Sequence, residues 1–155
     1  MMGIILHTNL TVLQNFAHSA PGSAARDAQR CSAAKEVYAW TQDRHYTTAR
    51  WHAERIIDSL EVALADPLVM MQTQMPSTRT SPLAMEPPRL AFESPHVPYA
   101  VYYAALVLWS GTFTVEGRVS SSTSAKAQIA RGERILTLHT VHVAKLLARV
   151  LSEVK

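Results

Sequence analysis

The sequence predicts an all-α domain of about five helices. Apolar residues recur every three or four positions through most of the chain, the spacing that places side chains on one face of an α-helix. One short segment, 112–117, has the character of a β-strand, but a single strand has no partner, so we assign it to a loop. A length of 155 residues fits one domain, which can bury a core without disulfide bonds.

The first two predicted helices form the N-terminal part of the chain. Residues 1–18 carry an apolar stripe, and the stretch 20–22, which contains a proline and a glycine, ends this helix. Ser23 is a suitable N-cap for a second helix that runs to about Trp40. The stripes consist of Leu6, Leu10, Leu13 and Ala17 in the first helix and of Ala33, Val37 and Trp40 in the second.

The third predicted helix and the segment after it differ in composition. Residues 47–65 carry the clearest apolar stripe, and Pro67 ends the helix because proline cannot continue it. Seven of the eight prolines lie between Pro67 and Pro98, and four of the six methionines lie in the same stretch. We therefore predict one domain, 1–155, in which a Pro/Met-rich loop over 66–97 separates the helices of 1–65 from those of 98–155.

The fourth predicted helix, Pro98–Trp109, is apolar on all sides. Thirteen residues from Val97 to Trp109 carry no charge, and a helix without a polar face is buried in a core. The segment is shorter than the roughly 20 residues that cross a bilayer, so we expect no membrane association. Gly111 ends this helix, and a fifth predicted helix covers about Ser124–Leu151, with Gly132 as its weakest position.

The charge distribution argues against a nucleic-acid interface in this chain. The net charge is +3, but the 15 Lys and Arg residues are scattered among 12 Asp and Glu residues, whereas nucleic-acid binding needs clustered basic residues. Pairs such as Arg50 with Glu54, and Arg55 with Asp58, indicate a mixed, solvated surface. The lone cysteine, Cys31, excludes an intrachain disulfide and a cysteine-based zinc site, and we expect it to be a small core residue.

Side chains that carry chemistry do not form a catalytic set in the sequence. The five glycines are too far apart for a phosphate-binding loop, and no serine or cysteine nucleophile motif is present. His139 and His142 are three residues apart on a predicted helix, but a zinc site needs a third ligand and commonly a fourth. We therefore predict no enzyme, catalytic residue, cofactor or metal ligand. The alternative is a small helical metal-binding protein or enzyme that uses His52, His139 and His142.

Several stretches together resemble the C-terminal portion of the regulatory domain of fungal-specific transcription factors. They are ILHTNLTVLQNFA (5–17), ARWHAERII (49–57) and PHVPYAVYYAALVLW (95–109), in the order found in that family. The last stretch, VHVAKLLARVLSEVK (141–155), resembles the amphipathic end of the domain. The residues that carry the motifs are His7, Trp51, His52, Pro95, His96, Pro98, Tyr99 and Trp109.

The resemblance implies a non-enzymatic, all-helical regulatory domain of a nuclear regulator of RNA polymerase II transcription. In that family an N-terminal zinc finger reads DNA, and the zinc belongs to that finger. One cysteine cannot build such a finger here, so we expect contact with DNA only through a finger outside this chain. We expect a fragment whose partners are the family's upstream helices, with a protein partner or a homodimer as further candidates. A helical protein-interaction adaptor is the other alternative function.

Overall fold

The fold is all-α. A computed structural model of the chain describes residues 2–18, 24–65, 94–113, 122–139 and 141–154. Within these ranges 87% of the residues are helical and none lies in a β-strand, which confirms the predicted fold class. The helices are α1 (Met2–His7), α2 (Leu10–His18), α3 (Ala24–Thr41), α4 (Arg44–Ala65), α5 (Val97–Ser110), α6 (Ser122–Leu138) and α7 (His142–Ser152).

The first predicted helix is two helices, α1 and α2, separated by Thr8 and Asn9. Asn9 begins α2, because its carbonyl accepts a hydrogen bond from the Leu13 N–H at 3.1 Å and its Oδ1 accepts one from the Val12 N–H at 3.4 Å. An asparagine that binds the backbone ahead of it is a typical helix N-cap. The prediction of one helix over 1–18 is wrong because it followed apolar spacing and missed this cap.

The last predicted helix is also two helices, α6 and α7. Between them Val141 is extended, with φ −73° and ψ 133°, and its N–H donates a hydrogen bond to His139 Nδ1 at 3.3 Å. Apolar spacing in the last segment predicts that Val143, Leu147 and Val150 face the core. All three are half-buried, and Leu147 and Val150 pack against the core. The buried residues of α7 are Ala144, Ala148 and Leu151. The described residues therefore form seven helices where five were predicted.

Helix α5 is the centre of the core, as its apolar sequence predicts. Val101 and the stretch 104–107 are fully buried, and Trp109 is nearly so. Tyr99 departs from the prediction of burial on all sides, since it is 42% exposed near the N-terminus of the helix. The helix begins at Val97, one residue earlier than predicted, after a turn over 94–96. The rest of the predicted Pro/Met-rich loop, 66–93, lies outside the described residues.

Helices α4 and α6 flank α5 and both run antiparallel to it. The C-terminal end of α5 lies beside the first turns of both helices, because Leu108, Gly111 and Thr112 line one cavity with Tyr46 of α4 and Ser124 of α6. Ala105, nearer the middle of α5, lies against Gly132, which is further along α6. The two flanking helices therefore run in the same direction on either side of α5. Around this centre α1 packs on α4, α2 packs on α3 and α5, and α7 packs on α6 and α5.

Two single-residue predictions are wrong. Leu6 is 71% exposed because α1 turns Ile4 toward the core, and Cys31 is exposed on α3 rather than buried in a core. Within the described ranges, no helix combines the length and the apolar character that crossing a bilayer requires.

Candidate functional site

A polar cavity of about 200 Å³ lies where α4 and α6 approach each other over the C-terminal end of α5. Helix α4 contributes residues one turn apart, α6 contributes a matching row, and the end of α5 supplies the floor. The lining residues are Tyr46, Arg50 and Glu54 from α4; Leu108, Gly111 and Thr112 from the end of α5; and Ser124, Gln128 and Arg131 from α6.

The α4 wall carries one cation and one anion. Arg50 Nε donates a hydrogen bond to Glu54 Oε1 at 2.8 Å, which forms an ion pair between residues one helical turn apart. This bond raises the pKa of Arg50. Both side chains remain substantially exposed, at 57% for Arg50 and 41% for Glu54, so the pair contributes at most about 0.5 kcal/mol to stability. Its significance is therefore the placement of two opposite charges at one wall of the cavity.

Tyr46 closes the end of the cavity nearest to Gly111. Its ring packs edge-on against Trp40, with ring centroids 5.0 Å apart, and its hydroxyl lies where a side chain at position 111 would begin. Gly111 has an ordinary right-handed conformation, with φ −68° and ψ −4°. Glycine is therefore required here by the space that Tyr46 occupies rather than by the backbone angles. Burial raises the pKa of Tyr46.

The α6 wall is held to α4 by an ion-pair network. Arg131 donates a hydrogen bond to Asp58 at 2.7 Å and two to the carboxylate of Glu61, at 2.7 Å and 3.2 Å. Arg134 also pairs with Glu61, at 3.2 Å. Hydrogen bonding to Arg131 lowers the pKa of Glu61, and the same bonds raise the pKa of Arg131. The sequence indicates a solvated face beside Arg55 for these two carboxylates, and the structure instead pairs both with α6.

Gln128 is the unsatisfied group of the site. Its Oε1 atom is buried and has no hydrogen-bond partner among the described residues. A buried polar atom that lacks a partner costs about 1–3 kcal/mol. Neither Gln128 nor the cavity was predicted from the sequence.

Three residues of the family motifs lie at the contact between α1 and α4. The His7 ring stacks on His45, with their Nδ1 atoms 3.0 Å apart, and the His7 carbonyl accepts a hydrogen bond from Trp40 Nε1 at 2.8 Å. His52 lies against Gly3, while Trp51 projects from α4 and is 56% exposed. His7 and His52 therefore hold α1 on α4, and none of the three residues lines the cavity.

The other motif residues lie along α5. Pro95 and His96 are exposed in the turn before the helix, Pro98 is buried in its first turn, and Tyr99 is partly exposed. Trp109 lies at the opposite end, where its ring packs edge-on against Phe113 and tilted against Phe16 of α2. The structure thus separates the eight motif residues into a group on α1 and α4 and a group along α5.

The tyrosines in the middle of α5 bind α2. The sequence predicts that their hydroxyls need partners if they are buried. Tyr102 is buried, and its hydroxyl lies 2.7 Å from His18 Nε2, while the Tyr103 hydroxyl accepts a hydrogen bond from Gln14 Nε2 at 3.3 Å. Burial lowers the pKa of His18 and raises that of Tyr102. These bonds fasten α2 to the core.

The three histidines of the metal-site alternative do not form a metal-binding set. His139 is buried in the connection between α6 and α7, whereas His142 begins α7 and is exposed. His52 lies against α1 instead. Among the described residues, which include all three, no group of three or more His, Cys, Asp or Glu side chains is arranged to hold a metal ion.

Comparisons with protein-family models, curated proteins and solved structures gave no match for this chain. The function is therefore inferred from the residues and geometry of the cavity, together with the resemblance found in the sequence.

Proposed function

We propose that this chain is a non-enzymatic regulatory domain of a fungal transcription regulator, and that it responds to a small polar ligand bound between α4 and α6. The observation that supports this proposal is the cavity. A molecule placed there contacts side chains of both helices, so its binding energy depends on how the helices are spaced. A ligand that binds more tightly at one spacing of α4 and α6 than at another shifts the population of the protein toward that spacing.

The titration behaviour of the site favours binding over acid–base catalysis. A general acid or base works best with a pKa near the operating pH. The pKa of Tyr46 is raised by burial, and those of Arg50 and Arg131 are raised by their carboxylate partners. The pKa of Glu61 is lowered by Arg131. Each shift moves the titration further from neutral pH, which suits fixed charges that hold a ligand.

The proposal places the chain in the nucleus and in RNA polymerase II transcription, as the resemblance implies. DNA contact and zinc belong to a finger outside this chain. Exposed apolar side chains on α1 and α4, namely Met2, Leu6 and Trp51, suit the upstream helices of the family as a partner. These three side chains are 75%, 71% and 56% exposed.

A reporter assay tests the regulatory function. The chain is fused to an unrelated DNA-binding domain and recruited to a reporter gene in fungal cells. We expect the fusion to change reporter transcription severalfold relative to the DNA-binding domain alone. The cavity variant Gln128→Leu should alter that change, and the matched exposed substitution Lys145→Gln should not.

The result against the proposal is a nuclear fusion of normal abundance that leaves the reporter unaffected. Tight, salt-dependent DNA binding by the isolated chain would also contradict it. Elemental analysis of the purified chain distinguishes the metal-protein alternative from the proposed regulatory function, because stoichiometric zinc or iron would support that alternative.

A further inference from the structure

We infer that the cavity between α4 and α6 binds a free α-amino acid, a small molecule that carries both a carboxylate and an ammonium group. The inference rests on the proposed function, because it names the ligand class of the same cavity. Three features of the walls lead to it: the guanidinium groups, the carboxylate of Glu54, and the balance of charge.

The guanidinium groups supply the site for a carboxylate. The bond from Arg50 to Glu54 uses only Nε, which leaves both terminal nitrogens for another acceptor. Arg131 binds Glu61 and Asp58 through Nε and one terminal nitrogen, which leaves the other terminal nitrogen. Guanidinium groups match the planar geometry of a carboxylate better than any other side chain does. Arg50 of α4 and Arg131 of α6 can therefore contact the same carboxylate.

The Glu54 carboxylate supplies the site for an ammonium group. Glu54 lines the cavity and is 41% exposed, and Arg50 engages it at one oxygen, Oε1. An ammonium group has three donors and no acceptor. The other carboxylate oxygen can therefore accept a hydrogen bond from an ammonium group of a ligand, and a bond to a charged group is stronger than one between neutral groups.

The charge balance around the cavity and the cavity volume narrow the class of ligand further. Within the described part of the chain, the charges of Arg50, Arg131 and Arg134 equal in number those of Glu54, Asp58 and Glu61, so this ion-pair network as a whole is neutral. A ligand with one net charge would remain uncompensated, whereas a zwitterion adds none. A volume of about 200 Å³ is also below the roughly 300–1,000 Å³ of pockets for larger ligands.

Isothermal titration calorimetry on the purified chain tests the inference. The probes are the standard L-amino acids, each alone, with acetate, methylammonium and glycerol as single-feature controls. We expect at least one amino acid to bind with a Kd below about 1 mM, and each control compound to bind at least about tenfold more weakly. Acetate binding as tight as that of the best amino acid, or no amino acid binding, would overturn the inference.

Two cavity variants locate the binding. Arg50→Gln removes a carboxylate donor, and Glu54→Gln removes the charged ammonium acceptor. Each should weaken binding at least about tenfold, and the exposed charge control Arg149→Gln should leave it unchanged. Circular dichroism confirms that each variant is folded, and the two variants are independent, so one remains informative if the other does not fold. Unchanged affinity in a folded cavity variant would place binding elsewhere and overturn the inference.

The two proposals fail in different ways. If an amino acid binds but does not influence the reporter, the proposed regulatory function is contradicted and the proposed binding site is supported. A reporter effect that depends on Gln128, in a chain that binds no amino acid, would keep the function and remove this ligand class.

Discussion

The two faces of α6 show two different ways of joining helices. Toward α5 the contact is close and apolar: Gly132 lies against Ala105, and Ile129 and Leu136 are buried. Toward α4 the contact is made by ion pairs of Arg131 and Arg134 with Asp58 and Glu61, and a polar cavity lies beside them. The first contact leaves no room for another atom, and the second leaves room for a small molecule.

This difference separates stability from binding. Burying a Leu or Ile side chain contributes roughly 1.5–3 kcal/mol, whereas an exposed ion pair contributes about 0–1 kcal/mol. The contact of α5 with α6 should therefore hold the fold, while the contact of α4 with α6 can change spacing at a low cost. The following substitutions test this division.

The largest effect should come from the interior of α5. Leu106 is fully buried, so Leu106→Ala should lower the free energy of unfolding by about 2–5 kcal/mol, through lost burial and the cavity left behind. Urea unfolding measures this loss. The matched substitution Leu146→Ala, on the exposed face of α7, should change the value by less than about 0.5 kcal/mol. Equal losses would show that α5 is not the centre of the core.

The next largest effect should come from Gly132. A glycine-to-alanine change inside a helix ordinarily stabilises it by up to about 1 kcal/mol. Here the new Cβ would lie 2.6 Å from the Ala105 Cβ, so Gly132→Ala should destabilise the protein by about 1–3 kcal/mol. The double variant with Ala105→Gly should recover part of this loss in thermal or urea unfolding. A stabilising Gly132→Ala would contradict the close contact.

A smaller, pH-dependent effect should come from Glu61. Arg131 lowers the pKa of Glu61 in the folded state, so the stabilisation is present above the unfolded pKa of about 4.3 and is lost as pH falls through the folded pKa. Glu61→Gln should therefore lower stability at pH 7 by roughly 0.5–1 kcal/mol and have little effect in strong acid. Urea unfolding from pH 7 to pH 3 measures this, with the exposed Glu36→Gln as the control. A pH-independent loss would indicate packing instead of charge.

The smallest effect should come from Gln128, with the opposite sign. Replacing an unsatisfied buried amide by an apolar side chain is nearly neutral or stabilising, so Gln128→Leu should raise stability by up to about 1 kcal/mol. The exposed Gln42→Leu is the matched control and should leave stability unchanged. A marked loss of stability in Gln128→Leu would mean that the amide already has a partner in the folded chain.

Apolar periodicity predicts most of the fold because burial determines where helices lie. The predicted segments 23–40, 47–65 and 98–109 differ from α3, α4 and α5 by at most three residues at either end. The two missed breaks, near Asn9 and Val141, have local causes: a cap on the first and an extended residue at the second. Such breaks interrupt a helix without interrupting the apolar pattern, so periodicity alone does not find them.

The cavity follows less directly from the sequence. The sequence indicates that Arg50 and Glu54 belong to a mixed, solvated surface, and in the structure they form an ion pair in which both side chains remain substantially exposed. The partner of Glu61 is Arg131, 70 residues away, and no local pattern connects two positions so far apart. The signal that was available is the row of Tyr46, Arg50 and Glu54 at one-turn spacing, a polar row on a helix whose other face is apolar.

The shared direction of α4 and α6 has a consequence for how a ligand is oriented. Tyr46 and Ser124 each lie in the first turn of their helix, and both line the cavity. Each helix N-terminus carries a partial positive charge of roughly half an electron charge from its aligned peptide dipoles. Two such fields act on the same end of the cavity, while Glu54 lies two turns further along. We expect these fields to favour negative charge at the Tyr46 end of the cavity, so the helix pair itself distinguishes the two ends of the cavity.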